Sequence, residues 1–496
     1  MHDREKSDSS VVPASPPNNA ALAVAEAGEE RGLPKGNAAS KTRPGLSAGQ
    51  GAPSALDRVR RIAAQDKEAK FTALLHHVDV DRLRAAYRAL RPKAAAGVDG
   101  VTWHEYGTDL EENLRGLHAR VQGGSYRAKP VRRAYIPKRD GRLRPLGVAA
   151  LEDKIVQRAV VQVLNSIYEA DFSGFSYGFR PGRKPHDALD ALAAGILQKR
   201  VNWVLDADIK DYFTSLDWSW LLKFIEHRIA DKRVLRLIQK WLSAGVIEEG
   251  KWSETVEGTV QGASVSPLLA NVYLHYVLDL WADQWRRRHA HGDVIIVRFA
   301  DDYVAGFEHR DDAERFLADL RERFAKFALE LHPEKTRLIE FGRHAALDHR
   351  RRGMGRPETF EFLGFVHICA KTKRGRFKLK RVTIKKRMRA KLQEVKEELR
   401  RRQHLPVPEQ GQWLASVVQG HLNYYAVPDN IDAVEAFRTQ AARHWHRALR
   451  RRSQRSRLDW KRMNRLVTRW LPRARILHPW PDTRFNAKTQ GRSPVR

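Results

Sequence analysis

The stretch Val294-Ile295-Ile296-Val297-Arg298-Phe299-Ala300-Asp301-Asp302-Tyr303-Val304-Ala305-Gly306-Phe307 sets two adjacent acids between two apolar, strand-like runs. The pattern predicts a β-hairpin turning at Ala300 to Asp302. A hairpin here favours an α+β fold with an antiparallel sheet over a doubly wound one. Two like charges held side by side repel, and partial burial strengthens the repulsion. A divalent cation would offset it. The other such pair, Asp311-Asp312, stands among His309, Arg310, Glu314 and Arg315 just before a helical run. There acids suit the positive end of the helix dipole and need no metal.

A metal site needs more than one pair of acids. The segment Trp203-Val204-Leu205-Asp206-Ala207-Asp208-Ile209-Lys210-Asp211-Tyr212-Phe213 again delivers acids from an apolar strand. Period-two alternation puts Asp206 and Asp208 on one face, so both stand as candidates for a third ligand. Three carboxylates from two adjacent strand ends suit two Mg²⁺ ions, which prefer oxygen ligands and keep positions open for water and substrate phosphates. Ions about 4 Å apart activate an attacking 3′-hydroxyl and stabilise the leaving pyrophosphate.

The composition says what such a site would act on. Lys and Arg number 91 against 59 Asp and Glu, a formal charge of +32. Such an excess points to a polyanion, nucleic acid above all; a solvated basic surface is the plainer alternative. The single cysteine, Cys369, excludes an intramolecular disulfide and any CxxC pair, and no zinc site is expected. No apolar run reaches about 18 residues, and Ala20 to Ala25 is too short and too closely followed by Glu26 to be a secretory core. A soluble, cytoplasmic protein is the expectation.

Length allows two or three domains, at about 100 to 200 residues each. Residues 1–55, rich in Ala, Pro, Ser and Gly without a sustained period, predict a disordered leader. Helical patterning follows from Ala55 to Leu90, then the turn Gly97-Val98-Asp99-Gly100. From Tyr126 to about Phe365, strands at Ala134 to Ile136, Trp203 to Leu205, Ile295 to Phe299, Tyr303 to Phe307 and Phe360 to Phe365 alternate with helices. Those helices are expected at Ile155 to Tyr168, His186 to Leu197, Trp218 to Ile229, Leu268 to Trp285 and Ala313 to Ala328. Beyond Lys371 basic helices are expected to dominate, with a break at Pro406-Val407-Pro408.

Several blocks, read in order, resemble bacterial group II intron reverse transcriptase/maturases from about Gly97 to about Phe485. They begin with Ala96-Gly97-Val98-Asp99-Gly100-Val101-Thr102. Next come Tyr135-Ile136-Pro137-Lys138 with Asp140-Gly141-Arg142-Leu143-Arg144-Pro145-Leu146-Gly147, and Ser176-Tyr177-Gly178-Phe179-Arg180-Pro181-Gly182-Arg183. They continue with Asp208-Ile209-Lys210-Asp211-Tyr212-Phe213 and Gly258-Thr259-Val260-Gln261-Gly262, the latter running on to Ser266-Pro267-Leu268-Leu269-Ala270-Asn271. Then follow the opening hairpin, Leu331-His332-Pro333-Glu334-Lys335-Thr336 and Phe360-Glu361-Phe362-Leu363-Gly364-Phe365. Phe299 stands for the usual Tyr, Val260 for the usual Pro, and Thr214 and Trp218 where Asp and His are common.

The resemblance implies a right-hand polymerase: fingers and palm over 56–370, the thumb starting at 371–405, an all-helical maturase domain X over 406–485 and a basic tail over 486–496. It selects Asp208, with Asp301 and Asp302, as catalytic metal ligands. Lys138, Arg144, Phe213 and Gln261 would handle the nucleotide, Phe213 by excluding a ribose 2′-hydroxyl. Arg180, Arg183, Lys335 and Gly364 would face template or primer. Arg450, Arg451, Arg452 and Arg455, set among aromatics, suit RNA, and Arg374 to Arg402 would grip a duplex through phosphates.

The implied function is RNA-directed DNA synthesis with two Mg²⁺ ions, together with assistance to group II intron splicing and mobility. The partners would be intron RNA, RNA template, DNA primer, dNTPs and target DNA, with nucleoid association during insertion. Without the Cys-rich HNH endonuclease that often follows domain X, the chain resembles the compact group IIC-associated class. Two alternatives stand beside this one: a CRISPR- or phage-defence-associated reverse transcriptase, and a non-catalytic splicing factor using the fold as an RNA clamp.

Overall fold

A computed structural model describes residues 55–137, 143–248, 251–253, 258–259, 262–452 and 458–489. Of the expected leader only Ala55 falls within them, and the expected tail is described only to Thr489. The chain starts with helices α1 (Ala55–Gln65), α2 (Val80–Arg88), α3 (Trp103–Thr108) and α4 (Leu110–Gln122). Their starts follow local chemistry. The Asp79 carboxylate accepts from the Arg82 amide, and Thr102 with Glu105 forms a reciprocal capping box.

Strands β1 (Val131–Pro137) and β2 (Leu143–Val148) form an antiparallel pair. After α5 (Leu151–Asp171) and α6 (Pro185–Gln198) comes β3 (Trp203–Ala207), then α7 (Trp218–Glu226) and α8 (Lys232–Leu242). Short strands β4 (Val246–Glu248) and β5 (Lys251–Ser253) complete a sheet of order β2-β1-β4-β5, in which β1 and β4 run parallel.

Helix α9 (Ser266–Leu274) passes through a π-helical turn, His275–Asp279, into α10 (Leu280–Arg288). Next come β6 (Val294–Phe299), β7 (Asp302–Phe307), α11 (Arg310–Ala325) and β8 (Arg337–Glu340). These strands and β3 make a wholly antiparallel sheet of order β6-β7-β3-β8. Both of its faces are covered. Leu205, Ala207, Ile296, Tyr303 and Ala305 join the core built with the N-terminal helices, whereas Val204, Ile295, Val297 and Val304 join a second core built with the C-terminal ones. Two-sided burial is why Val294 to Val297 reads as an unbroken apolar run instead of an alternation.

Beyond α12 (Ala345–Arg351) the expected strand Phe360 to Phe365 is two strands. β9 (Phe360–Phe362) turns at Leu363 (φ 47°) and Gly364 (φ 89°) into β10 (Phe365–Lys371), with Phe362 opposite Phe365. Two consecutive positive φ values are the signature of a two-residue type I′ hairpin. The basic region beyond Lys371 also starts as a strand, β11 (Phe377–Thr383), paired along the whole of β10. Helices follow as expected: α13 (Lys385–Arg401), α14 (Val407–Tyr425), α15 (Ile431–Arg450), α16 (Trp460–Trp470) and α17 (Pro481–Thr489).

One loop carries unusual backbone constraint. Phe175 to Tyr177 runs beside β6, the Arg298 amide donating to the Phe175 carbonyl (2.9 Å) and the Tyr177 amide to the Arg298 carbonyl (2.8 Å). A Cβ on Gly178 would lie 2.2 Å from the Ala300 nitrogen, so only glycine lets this loop meet the β6–β7 turn. Gly178→Ala is expected to lower the free energy of unfolding by about 1 to 3 kcal/mol, the range for forcing extra atoms into a packed site. Chemical denaturation would measure it.

Candidate active site

At the β6–β7 turn Phe299 pairs with Asp302, leaving Ala300 and Asp301 as a two-residue loop. Ala300 takes φ 58°, as primed hairpin turns require at their first central residue. This aims the two acids at the end of the neighbouring β3, where Asp208 leaves the strand. Ile209 bridges to Leu331, and the Asp208 carbonyl accepts from the His332 amide at 2.8 Å. Potential ligand oxygens of Asp208, Asp301 and Asp302 lie within 4.8 Å of one another, and all three residues are half-buried.

The two acids left open on β3 now separate. Asp206 lies one step back along the strand, paired in register with Arg337 and facing its guanidinium at 3.5 Å. Burial pushes its carboxyl up to about 6; Arg337 opposes that shift, and the charges of Asp302 and Asp208 add to it. Asp208 alone of the two reaches the acid cluster. Its carboxylate also receives the ammonium of Lys335, which sets that residue, expected to face template or primer, beside the acid cluster.

What holds the turn is a buried cation that the sequence reading did not single out. Arg298 is fully buried and makes a bidentate ion pair with Asp279, at 2.7 and 2.5 Å. Its remaining nitrogen donates to Asn271 Oδ1 and to the Ala300 carbonyl, both at 3.0 Å. The Asn271 amide donates in turn to the Gly178 carbonyl at 2.7 Å. One guanidinium of β6 therefore ties together α9, the π turn and the β6–β7 turn, and through Asn271 the Gly178 loop. A charge inside a strand beside the two acids was the available signal, since an arginine there must find a partner.

Around the acids, Phe213 is half-buried in the turn after Asp208, packed against the first core, and its carbonyl accepts from Thr259 Oγ1 at 3.2 Å. Trp218 Nε1 donates to the Gly258 carbonyl at 2.8 Å, which ties this block to α7. Val260, Gln261, Lys138 and Arg455 lie outside the described residues; Arg144 is placed only by its backbone, opposite Ile136 in β2.

The loop arginines behave differently from their expected template-facing role. Arg180 is buried, with its guanidinium on Glu169 and on the Ser173 and Ser176 carbonyls. Arg183 is half-buried and donates to the Gly174 and Ser176 carbonyls. Both brace the loop from inside. Gly364 sits at its hairpin turn beneath α14, where the Tyr424 hydroxyl donates to the Leu363 carbonyl at 2.7 Å. Arg450 and Arg451 are exposed at the end of α15, while Arg452 donates to the Leu405 carbonyl at 2.9 Å.

Asp312 of the contrasting pair is buried and accepts from the His291 and Gly292 amides, at 2.9 and 3.0 Å. It does local structural work. The Asp208 cluster differs in its donor set: carboxylate oxygens only, half open to solvent, which fits a hard divalent cation.

Residues 136–367 match the reverse transcriptase (RNA-dependent DNA polymerase) family. The chain is 37% identical over 220 residues to protein YkfC of Escherichia coli, covering 43% of this chain and 58% of that protein. It is 35% identical over 222 residues to the group II intron-encoded protein LtrA of Lactococcus lactis, covering 44% of this chain and 37% of that protein. A nuclear intron maturase of Arabidopsis thaliana is 30% identical over 94 residues, 18% of this chain and 12% of that protein. The chain thus spans little more than half of the first relative and less of the others. Among the described residues no helix is long and apolar enough to cross a membrane.

Replacing Arg298 by Met strands the Asp279 carboxylate in the core. A loss of about 3 to 5 kcal/mol of stability is expected in denaturant titration. Adding Asp279→Leu should recover most of it, as buried ion pairs are often replaceable by apolar groups.

Proposed function

We propose that this chain, whose residues 136–367 are a reverse transcriptase domain related to those of group II intron-encoded proteins, is an RNA-directed DNA polymerase that also assists intron splicing and mobility. The observation that carries the reading is the convergence of Asp208, Asp301 and Asp302 at two adjacent strand ends. These acids would hold two Mg²⁺ ions, which supply activation of the primer 3′-hydroxyl and charge stabilisation at the departing pyrophosphate.

The chain's own residues do the rest. Arg298 keeps the turn in place through the Ala300 carbonyl, so the acids meet their ligands without reorganising. Lys335 adds a positive charge at the rim of the site, suited to a polyphosphate. Phe213 sits in the turn after Asp208, in position to test the sugar of an incoming nucleotide. Lys138, Arg144 and Gln261 would complete the nucleotide pocket.

In this reading 56–370 are fingers and palm. The thumb's duplex grip falls to α13, which carries basic residues along its whole length, and 406–485 form the RNA-binding maturase domain, with Arg450 and Arg451 exposed on it. Intron RNA, RNA template, DNA primer, dNTPs and target DNA are the partners, in a cytoplasmic setting. Relatives named for introns favour this reading over a defence-associated reverse transcriptase.

Extension of a DNA primer on an RNA template with dNTPs and Mg²⁺ tests the proposal. Asp301→Asn should slow it about a thousandfold, equivalent to ~4 kcal/mol of barrier, whereas Asp311→Asn should leave it unchanged. Normal extension by the Asp301 variant would overturn the site assignment. Splicing of a cognate intron that survives Asp301→Asn would establish the maturase role as separable from polymerisation.

A further inference from the structure

The polymerase cleft lies at one end of the β6-β7-β3-β8 sheet, and a cavity of about 810 Å³ opens at the other. The sheet register fixes the separation. Trp203 pairs with Phe307 and Glu340, whereas Asp208 lies five residues further along the same strand, about 17 Å away at ~3.3 Å per residue. Arg343, just past β8, belongs to the cavity wall, together with the tip of the β10–β11 hairpin and the start of α17.

The wall combines charge with an aromatic platform. Arg343 is anchored by a bond to the Leu197 carbonyl (2.9 Å), and Lys373 and Arg376 stand exposed on the hairpin tip. That tip is held closed by the Thr372 amide on the Arg376 carbonyl (2.8 Å) and the Gly375 amide on the Thr372 carbonyl (2.9 Å). Lys378 is paired with Asp429, and its ammonium lies 6.0 Å from the Trp480 ring centre. Among the described residues the acids of this wall are Asp429, which Lys378 neutralises, and Asp482.

Trp480 is 54% exposed, a large apolar ring left in water. It stands between Pro479 and Pro481, which restrict the backbone on both sides. Its neighbour His478 is fastened to the Asn423 carbonyl (2.9 Å) and to Arg484 (2.8 Å), and is stacked on His186. The backbone that carries the ring is thus restrained, which lowers the ordering entropy left to lose on binding.

From the exposed ring and the cations around it we infer that this groove binds an unpaired polynucleotide segment lying outside the polymerase cleft, a base stacking on Trp480 and phosphates meeting Arg343, Lys373 and Arg376. Stacking platforms beside cations are how single strands are held without sequence readout. An acidic peptide offers the charge but no flat base. The inference rests on the reading of the chain as an RNA-handling polymerase, and it gives the enzyme a second hold on RNA remote from synthesis.

The test uses the full chain with its cleft filled by a primer–template duplex, and follows binding of a labelled uridine octamer by anisotropy. Trp480→Ala should weaken octamer binding about tenfold, and Trp480→Phe should retain it. Lys373→Gln with Arg376→Gln should reduce the slope of log affinity against log salt by about 1.4. Primer extension should be unchanged in the two Trp480 variants.

Octamer affinity unaffected by Trp480→Ala, full displacement of the octamer by the duplex, or equal competition by an oligoglutamate would each overturn the inference. If the wild-type chain extends no primer yet Trp480→Ala still weakens the octamer, the polymerase reading fails and the groove stands.

Discussion

The ion pair between Arg298 and Asp279, closed off from water, is the constraint on which the arrangement of the site depends. Both residues are wholly buried, and neither charge is tolerable there without the other. The pair therefore specifies where β6 must lie against the π turn. The spare nitrogen of the guanidinium passes that specification on, to Asn271 and to the carbonyl of Ala300. Neither acid of the turn has to hold itself in place. A π turn at this point has a mechanical reading, since its extra residue helps bring the Asp279 carboxylate to the arginine.

The β6-β7-β3-β8 sheet joins the two proposed sites because both of its faces are buried. One core ties it to the N-terminal helices and the other to α14 and α15, so its two ends are fixed relative to each other. The acids occupy the end where β3 and β7 meet at the turn, and the basic groove occupies the opposite end. On the proposed reading, an enzyme that holds a long RNA while copying it gains from contacts that do not compete with the cleft.

Much of the site was legible in the sequence because its chemistry is local. Adjacent acids between two apolar runs demand a hairpin and a counter-charge, and the contrast with Asp311-Asp312 depends only on neighbouring residues. Less local features were not legible. Arg180 carries the charge expected of a template contact, yet Glu169, in the last turn of the preceding helix α5, turns it inward. The break between β9 and β10 falls on Leu363 and Gly364; leucine at the first turn position gives no turn signal, and a contact from α14 holds it at positive φ. The basic stretch after Lys371 matched a helix by composition, while its first part, β11, completes a hairpin with β10.

Legible in the sequence alone are the acids, the antiparallel hairpin that carries two of them, and the excess of positive charge that points to a polyanion. These follow from nearest-neighbour repulsion, period-two patterning and net charge, none of which needs a third dimension. The tertiary structure sets Asp208, the acid the resemblance selects, with Asp301 and Asp302 and leaves Asp206 facing Arg337, because β3 ends against Leu331 and His332. It alone also brought Arg343, Arg376 and Trp480 to one groove. Residues more than a hundred positions apart meet only when burial of two cores closes the chain around the same sheet.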